Sequence, residues 1–363
     1  MHAPRNLPLR VRVAALSAAD IYSSDRYVRM TKKFRVLALD GGGIHGAATA
    51  AFLAHIEEQV GAPLRRFFDL IVGTSTGGLI GLALARDVPA SEILSLYIDR
   101  GPQLFQRRLP FLPTKLASIF GPIYQSKPLH QEIKSILGAE THLGSAKCRV
   151  CVPAVNITSG SVVVFKTRHH ADFEDDFRFR MWRVAAATAA APIYFPPVEI
   201  PDVGWFVDGG LWSNTPTTVG IAEGIKLGYQ LSEIHVLSVG TGMQSLHVEG
   251  APHRFWGHLR HGLLGWGQSL VSLTMHAQSE RANNLSSYFL PEGQLKRIDF
   301  PLPIGAGGLD AVHQVDMFAR RARACAKAEA RDVRHQFFND EAASFTPLPF
   351  PANGPRARPP ATA

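Results

Sequence analysis

Residues 34–39 (FRVLAL) form a short apolar run that stops at Asp40-Gly41-Gly42-Gly43, so they read as a buried strand feeding a glycine turn. From about 47 to 60, Phe52, Leu53, Ile56 and Val60 fall on one helical face, and Gly61 and Pro63 close that helix. Residues 68–72 (FDLIV) predict a second strand and 76–85 a second helix. Strand, helix, strand, helix with short turns is the signature of an α/β fold on a parallel sheet.

Further along, 87–128 alternates helical pieces with Pro, Gly and aromatics and reads as an insertion over one face. The amphipathic stretch 129–137 ends at Gly138, a suitable C′ glycine. Residues 149–157 and 161–167 predict a hairpin about Ser159-Gly160. A helix near 180–188 leads into the small-residue run 185–191, and a short strand at 205–207 feeds Asp208-Gly209-Gly210. Thr215 and Pro216 suit an N-cap and first helical position for a helix reaching Gly228. A strand follows at 234–239, and beyond about 245 the pattern is mainly helical, with one strand-like piece at 295–300. The expected organisation is an extension over 1–33, an α/β domain over 34–245, a mainly helical part over 246–345 packed on it, and a disordered tail over 346–363, which holds six prolines.

Composition changes this picture little. With 46% hydrophobic and 19% charged residues among 363, most of the chain has material for a core and disorder is excluded. A net charge of +8 suits an anionic partner without naming one. Three cysteines exclude a disulfide scaffold and fit a reducing compartment. No apolar run is long enough for a transmembrane helix, and the stretch 13–19 behind the N-terminal arginines is too weakly apolar for a signal peptide.

The strongest chemical signal is Gly73-Thr74-Ser75-Thr76-Gly77, a G-x-S-x-G between a predicted strand and helix. A serine on such a turn adopts a strained backbone, and side-chain-free neighbours let the chains approach. The motif alone is weak, because an ordinary glycine-rich βα turn looks the same. Gly41-Gly42-Gly43-Ile44-His45-Gly46 also follows a strand and leaves backbone N–H groups bare. As G-x-G-x-x-G it would cradle a dinucleotide pyrophosphate. As a loop beside a nucleophile it would form an oxyanion hole. The first reading expects an acidic residue ending the next strand. That strand instead ends in Gly73-Thr74-Ser75, with Asp69 inside it, so the oxyanion reading explains both turns together. Asp208 either accepts the serine proton or orients a histidine; the bland alternative is an Asp-Gly turn. His235 lies in a strand run, and His247, His253, His258 and His261 fall in no obvious triad position, so a Ser–Asp dyad is coherent.

The motifs DGGGIHG (40–46), GTSTGG (73–78) and DGG (208–210), with Ala189 to Pro196 before the last, resemble the patatin-like phospholipases over roughly 34–242. The resemblance implies a three-layer α/β/α fold with a mainly parallel sheet and a catalytic domain over 34–245. It implies Ser75 as nucleophile, Asp208 as general base and the N–H groups of Gly41, Gly42 and Gly43 as oxyanion hole. Asp40, His45, Gly46, Gly73, Gly77, Gly209 and Gly210 complete the motifs. His45 stands where that family usually has Arg, so cationic support for the loop is expected to be weaker and pH-dependent. The stretches 124–129 (YQSKPL), 165–170 (FKTRHH) and 297–300 (RIDF) are similar to the phospholipase effectors of bacterial anti-phage CBASS systems. This narrower resemblance implies activation by a cyclic dinucleotide such as cyclic GMP-AMP. It also implies attack on membrane phospholipid by peripheral contact, and a cytoplasmic enzyme at the inner membrane. No cofactor for catalysis, no metal and no DNA or RNA partner is expected; homo-oligomerisation stays open. The rivals are a constitutive lipase of the same family, an oxidoreductase using the 41–46 loop, and a non-catalytic lipid- or nucleotide-binding protein.

Other constellations weigh less. Cys148 and Cys151 form C-x-x-C, but three apart in a strand they face opposite ways. His130-Gln131-Glu132 faintly resembles a zinc deaminase, yet Lys147 stands where that signature wants Pro. His169-His170 reads as a surface pair. The basic stretch 318–335 reads as a solvated helix face, with contact to anionic lipid or nucleotide as the alternative. Phe105, Phe111, Phe120 and Tyr124 make either a membrane-meeting lid or the insertion's own core.

Overall fold

The computed structural model describes residues 33–242, 263–303 and 305–349. The expected 1–33 extension (Lys33 apart), the tail beyond residue 349 and His247, His253, His258 and His261 lie outside the described residues.

Eight strands form one sheet: β1 (Phe34–Leu39), β2 (Leu70–Gly73), β3 (Arg149–Asn156), β4 (Ser161–Lys166), β5 (Val198–Ile200), β6 (Gly204–Asp208), β7 (Ile234–Val239) and β8 (Leu295–Ile298). Their order is β5-β6-β3-β2-β1-β7-β8, with β4 in a hairpin on β3. Pairings from β3 through β8 are parallel, whereas β3–β6 and β5–β6 are antiparallel. β1 shows why it sits centrally. Phe34, Val36 and Ala38 pack on one side with Val72 and Ile221, while Leu37 and Leu39 pack on the other with Ile71. Side chains alternate along a strand, so a strand apolar at every such position is buried on both faces.

The helices are α1 (Gly46–Val60), α2 (Thr76–Leu84), α3 (Ala90–Leu104), α4 (Thr114–Ala117), α5 (Ser126–Leu137), α6 (Met181–Thr188), α7 (Gly210–Ser213), α8 (Thr217–Lys226), α9 (Leu263–Phe289) and α10 (Val315–Phe337). The cluster with α1, α2, α3, α6 and α10 covers the Leu37 face and α8 covers the Val36 face, giving three layers. The chain beyond 245 is part of this architecture. β8 adds to β7 with Val236 opposite Leu295, and α10 lays Phe318, Ala322 and Ala326 into the same core as α1. Among the described residues no helix is long and apolar enough to cross a membrane.

Four expectations need correction. Residues 90–104 are an integral helix, not part of an insertion: Ile93, Leu94 and Tyr97 are buried in the main core, and Pro102 sits only in the last turn. The helix expected to open at Thr215-Pro216 begins at Thr217, because the Thr215 hydroxyl donates to Asp40 Oδ2 (2.7 Å) instead of capping. The expected strand over 295–300 ends at Ile298. His169 is not a surface residue: its ring is buried between the Thr167 hydroxyl (2.8 Å) and Glu223 Oε1 (3.0 Å), and burial lowers its pKa. Its ligand-type atoms lie within 4.8 Å of those of Cys151 and Glu223, but the Glu223 carboxylate already pairs with Lys166. The basic face of α10 is solvated, as Arg320, Arg321, Arg323 and Lys327 are exposed while Phe318 and Val333 are buried. Of the four aromatics, Phe105 and Tyr124 join a ring cluster with Phe195, whereas Phe111 and Phe120 are exposed.

Candidate active site

β2 ends at Gly73 and α2 starts at Thr76, leaving Ser75 on the turn with φ 55° and ψ −123°. Such a conformation costs a non-glycine residue about 1–3 kcal/mol and persists only where surroundings enforce it. Here the Ser75 N–H donates to the Thr188 hydroxyl (2.9 Å), which in turn donates to the Pro153 carbonyl (2.5 Å). Thr74 Oγ1 donates to the Ser213 carbonyl (2.6 Å). The flanking glycines are required by close approach: a Cβ on Gly73 would strike the Gly77 carbonyl, and one on Gly77 would strike the Leu39 carbonyl.

Asp208 closes β6, opposite Ala154 of β3. Ser75 Oγ donates to Asp208 Oδ2 at 2.7 Å, and the Gly210 N–H donates to Oδ1 at 2.7 Å. Both side chains are buried, at 5% and 2% exposure. Burial pushes the Asp208 carboxyl up to about 7, against the opposing pull of the Ser75 hydroxyl and Gly210 N–H. The partners of its two oxygens are thus a serine and a backbone amide, which is the arrangement of a dyad. Gly209 passes against the Pro153 carbonyl, where a Cβ would not fit.

The glycine loop borders the serine: a Cβ at Gly41 would lie 3.2 Å from Ser75 Cβ. Of the three N–H groups expected as oxyanion donors, one is engaged elsewhere. The Gly41 N–H donates to the Asn214 carbonyl (2.9 Å), so it is already used. Gly42 and Gly43 donate to no acceptor among the described residues. Gly43 has φ +58° and passes the Leu309 carbonyl, to which the Ile44 N–H donates at 2.8 Å. The Gly41 carbonyl accepts from the Thr241 hydroxyl (3.0 Å), and Gly46 packs on Thr76 without room for a Cβ.

Asp40 anchors the loop at its start. Arg297 Nη2 reaches Asp40 Oδ2 (2.7 Å) and Asp299 Oδ2 (2.6 Å), and Nη1 donates to Ser238 Oγ (2.8 Å). Burial drives the Asp40 carboxyl above its ordinary range while Arg297 and Thr215 pull it down. Burial opposes the Arg297 charge, but Asp40 and Asp299 outweigh it and hold the guanidinium protonated.

His45 departs from the expectation of a titrating support. It is 3% exposed against the Phe318 ring (4.3 Å between centres), and neither ring nitrogen has a well-formed hydrogen bond, although the Gly308 backbone is near. Burial drops its pKa to about 4, so it is neutral at physiological pH. It fills space beneath the loop.

Thr188, Asn214, Thr241 and Arg297 were not assigned roles from sequence. Only Arg297 carried a signal, as part of the quoted RIDF stretch. The dinucleotide reading of 41–46 loses its acidic partner, because Asp69, just ahead of β2 and not at its end, accepts the Arg35 N–H through Oδ2 at 2.9 Å.

Residues 37–221 match the profile of the family described as Patatin-like phospholipase. A Pseudomonas aeruginosa protein named cGAMP-activated phospholipase is 35% identical over 289 residues, covering 79% of this chain and 84% of that protein. An Escherichia coli protein of the same name is 35% identical over 268 residues, covering 70% of this chain and 75% of its own. Patatin-like protein 4 of Arabidopsis thaliana is 30% identical over 240 residues, covering 57% and 59%.

Proposed function

Because the chain belongs to the patatin-like phospholipase family, and is a lipid ester hydrolase, we propose that Ser75 and Asp208 cleave the acyl esters of membrane phospholipids. The observation that carries this reading is the 2.7 Å contact from Ser75 Oγ to Asp208 Oδ2 on a strained strand-to-helix turn. Ser75 Oγ attacks the ester carbonyl carbon while Asp208 takes the hydroxyl proton. The Gly42 and Gly43 N–H groups receive the negative charge on the former carbonyl oxygen. The tetrahedral intermediate collapses, the bond to the lyso-lipid oxygen breaks, and Asp208 returns the proton to that oxygen. Water, deprotonated by Asp208, then attacks the acyl-serine, and collapse frees the fatty acid and restores the serine. Each oxyanion donor in such a site is worth about 10²–10³ in turnover.

A base with a pKa near 7 dictates the pH dependence. Asp208 acts only when ionised, so kcat/KM for a soluble ester is expected to fall about tenfold per pH unit below about 7 and level off above it. A stopped assay from pH 5 to 9 checks this; a flat profile between pH 5 and 8 contradicts the assignment.

The names of the bacterial relatives support a further reading, that a cyclic dinucleotide such as cyclic GMP-AMP switches this chain on. The exposed Phe111, Ile119 and Phe120 supply the apolar part of a peripheral contact with the bilayer. The test is fatty-acid release from phosphatidylglycerol/phosphatidylethanolamine liposomes, with and without cyclic GMP-AMP, by the wild-type chain and Ser75→Ala. Release that needs both Ser75 and the nucleotide is expected. Nucleotide-independent release would leave a constitutive lipase, and release by Ser75→Ala would overturn the mechanism.

A further inference from the structure

Away from the dyad, a cavity of about 520 Å³ opens between the 142–145 turn, Arg168 just beyond β4, the 176–178 turn and residues 347–348. Its size is that of a small-molecule site. Its charged lining is one-sided: Arg168 and Arg178 border it, with His142 and Ser145, and among the described residues no carboxylate does. Arg168 is 8% exposed, yet its Nε and Nη1 have no acceptor among the described residues. A buried guanidinium without a counter-charge is costly to a fold, so such a group invites an anion. Phe177 lies between the two arginines, with its ring centre 5.6 Å from Arg168 Cζ and 5.2 Å from Arg178 Cζ. Two guanidinium groups held against one buried ring suit bidentate contacts to phosphate oxygens.

We infer that this cavity is a nucleotide phosphodiester site, and that it receives the activator. The inference rests on the nucleotide control proposed above. The walls of the cavity are tied to the catalytic turn through one helix. The Leu143 N–H donates to the Phe179 carbonyl (2.9 Å) and the Met181 N–H to the Thr141 carbonyl (2.8 Å), joining both turns to the start of α6. α6 ends at Thr188, whose hydroxyl accepts the Ser75 N–H at 2.9 Å. A ligand that draws Arg168 and Arg178 together therefore bears on the helix that holds the elbow. The 347–348 segment is seated on the same site, with the Leu348 N–H donating to the Arg168 carbonyl at 3.0 Å.

The test is titration calorimetry of cyclic GMP-AMP into the full chain, beside hydrolysis of a soluble ester and of liposomes. Arg178 is exposed, so Arg178→Ala keeps the fold; Arg168→Lys and Arg168→Ala are checked by thermal melts. Binding is expected to weaken about 10–100-fold in Arg178→Ala and Arg168→Ala, as for loss of charge-assisted hydrogen bonds. If the wild type binds and folded Arg178→Ala and Arg168→Lys bind within twofold of it, the cavity is the wrong site while nucleotide control stands. If the variants lose binding but liposome hydrolysis ignores the nucleotide, the site stands and control falls. If the wild-type chain does not bind the nucleotide, both fall.

Discussion

Asp208→Asn is expected to lower kcat on a soluble ester by about 10⁴-fold, the scale seen when one member of a serine-hydrolase constellation is removed. The same change is expected to stabilise the chain at pH 8. Asp208 is fully buried, and its folded pKa near 7 lies well above the ordinary 3.8. Between those values the folded state holds a proton that the unfolded state has lost, so stability falls as pH rises from about 4 to about 7. Above that window the ionised carboxylate costs on the order of a few kcal/mol. Asparagine carries no charge to bury and can still accept the Gly210 N–H. Thermal melts of both proteins at pH 5 and pH 8 check the sign: the gain from Asn should be larger at pH 8. An equal or smaller gain at pH 8 would contradict the burial argument. With Asp208 as the proposed base, the site gives up stability for a group poised near neutrality.

Arg297→Met should destabilise the chain by about 3–5 kcal/mol, the range for stripping one partner from a buried ion pair. The reason is Asp40, which would keep a buried carboxylate with the Thr215 hydroxyl as its one remaining side-chain donor among the described residues. Because Asp40 precedes the glycine loop beside Ser75, turnover should fall as well. Adding Asp40→Asn to Arg297→Met removes the orphaned charge and should recover a large part of the lost stability. Urea unfolding of the wild type, both single variants and the double variant measures this coupling. Additive losses would mean that Arg297 matters only for packing.

Much of this was legible locally. β1 and β7 fall where the apolar runs are, and the elbow and the DGG turn announce themselves as short glycine motifs after strands, although Gly77 and Gly209 are demanded by the distant Leu39 and Pro153 carbonyls. What escaped depends on partners far along the chain. Nothing in Gly41-Gly42-Gly43 distinguishes the first glycine from the others; it is the carbonyl of Asn214 that takes up its N–H. Asp40 and Arg297 are 257 positions apart, so their pairing has no periodicity to reveal it. Thr215 followed by Pro216 looked like a helix start because short-range capping was the only visible use for its hydroxyl; the sheet offered Asp40 instead. His45 looked titratable until Phe318, from the C-terminal helix, covered it. α3 was obscured by Gly101 and Pro102, which its final turn tolerates.

The most direct measurement is the site of covalent labelling by a fluorophosphonate, located by peptide mass spectrometry at pH 8. The Ser75–Asp208 arrangement predicts a single stoichiometric adduct on Ser75, strongly slowed in Asp208→Asn and absent in Ser75→Ala. Labelling of another residue, or equal labelling of Ser75→Ala, would contradict it.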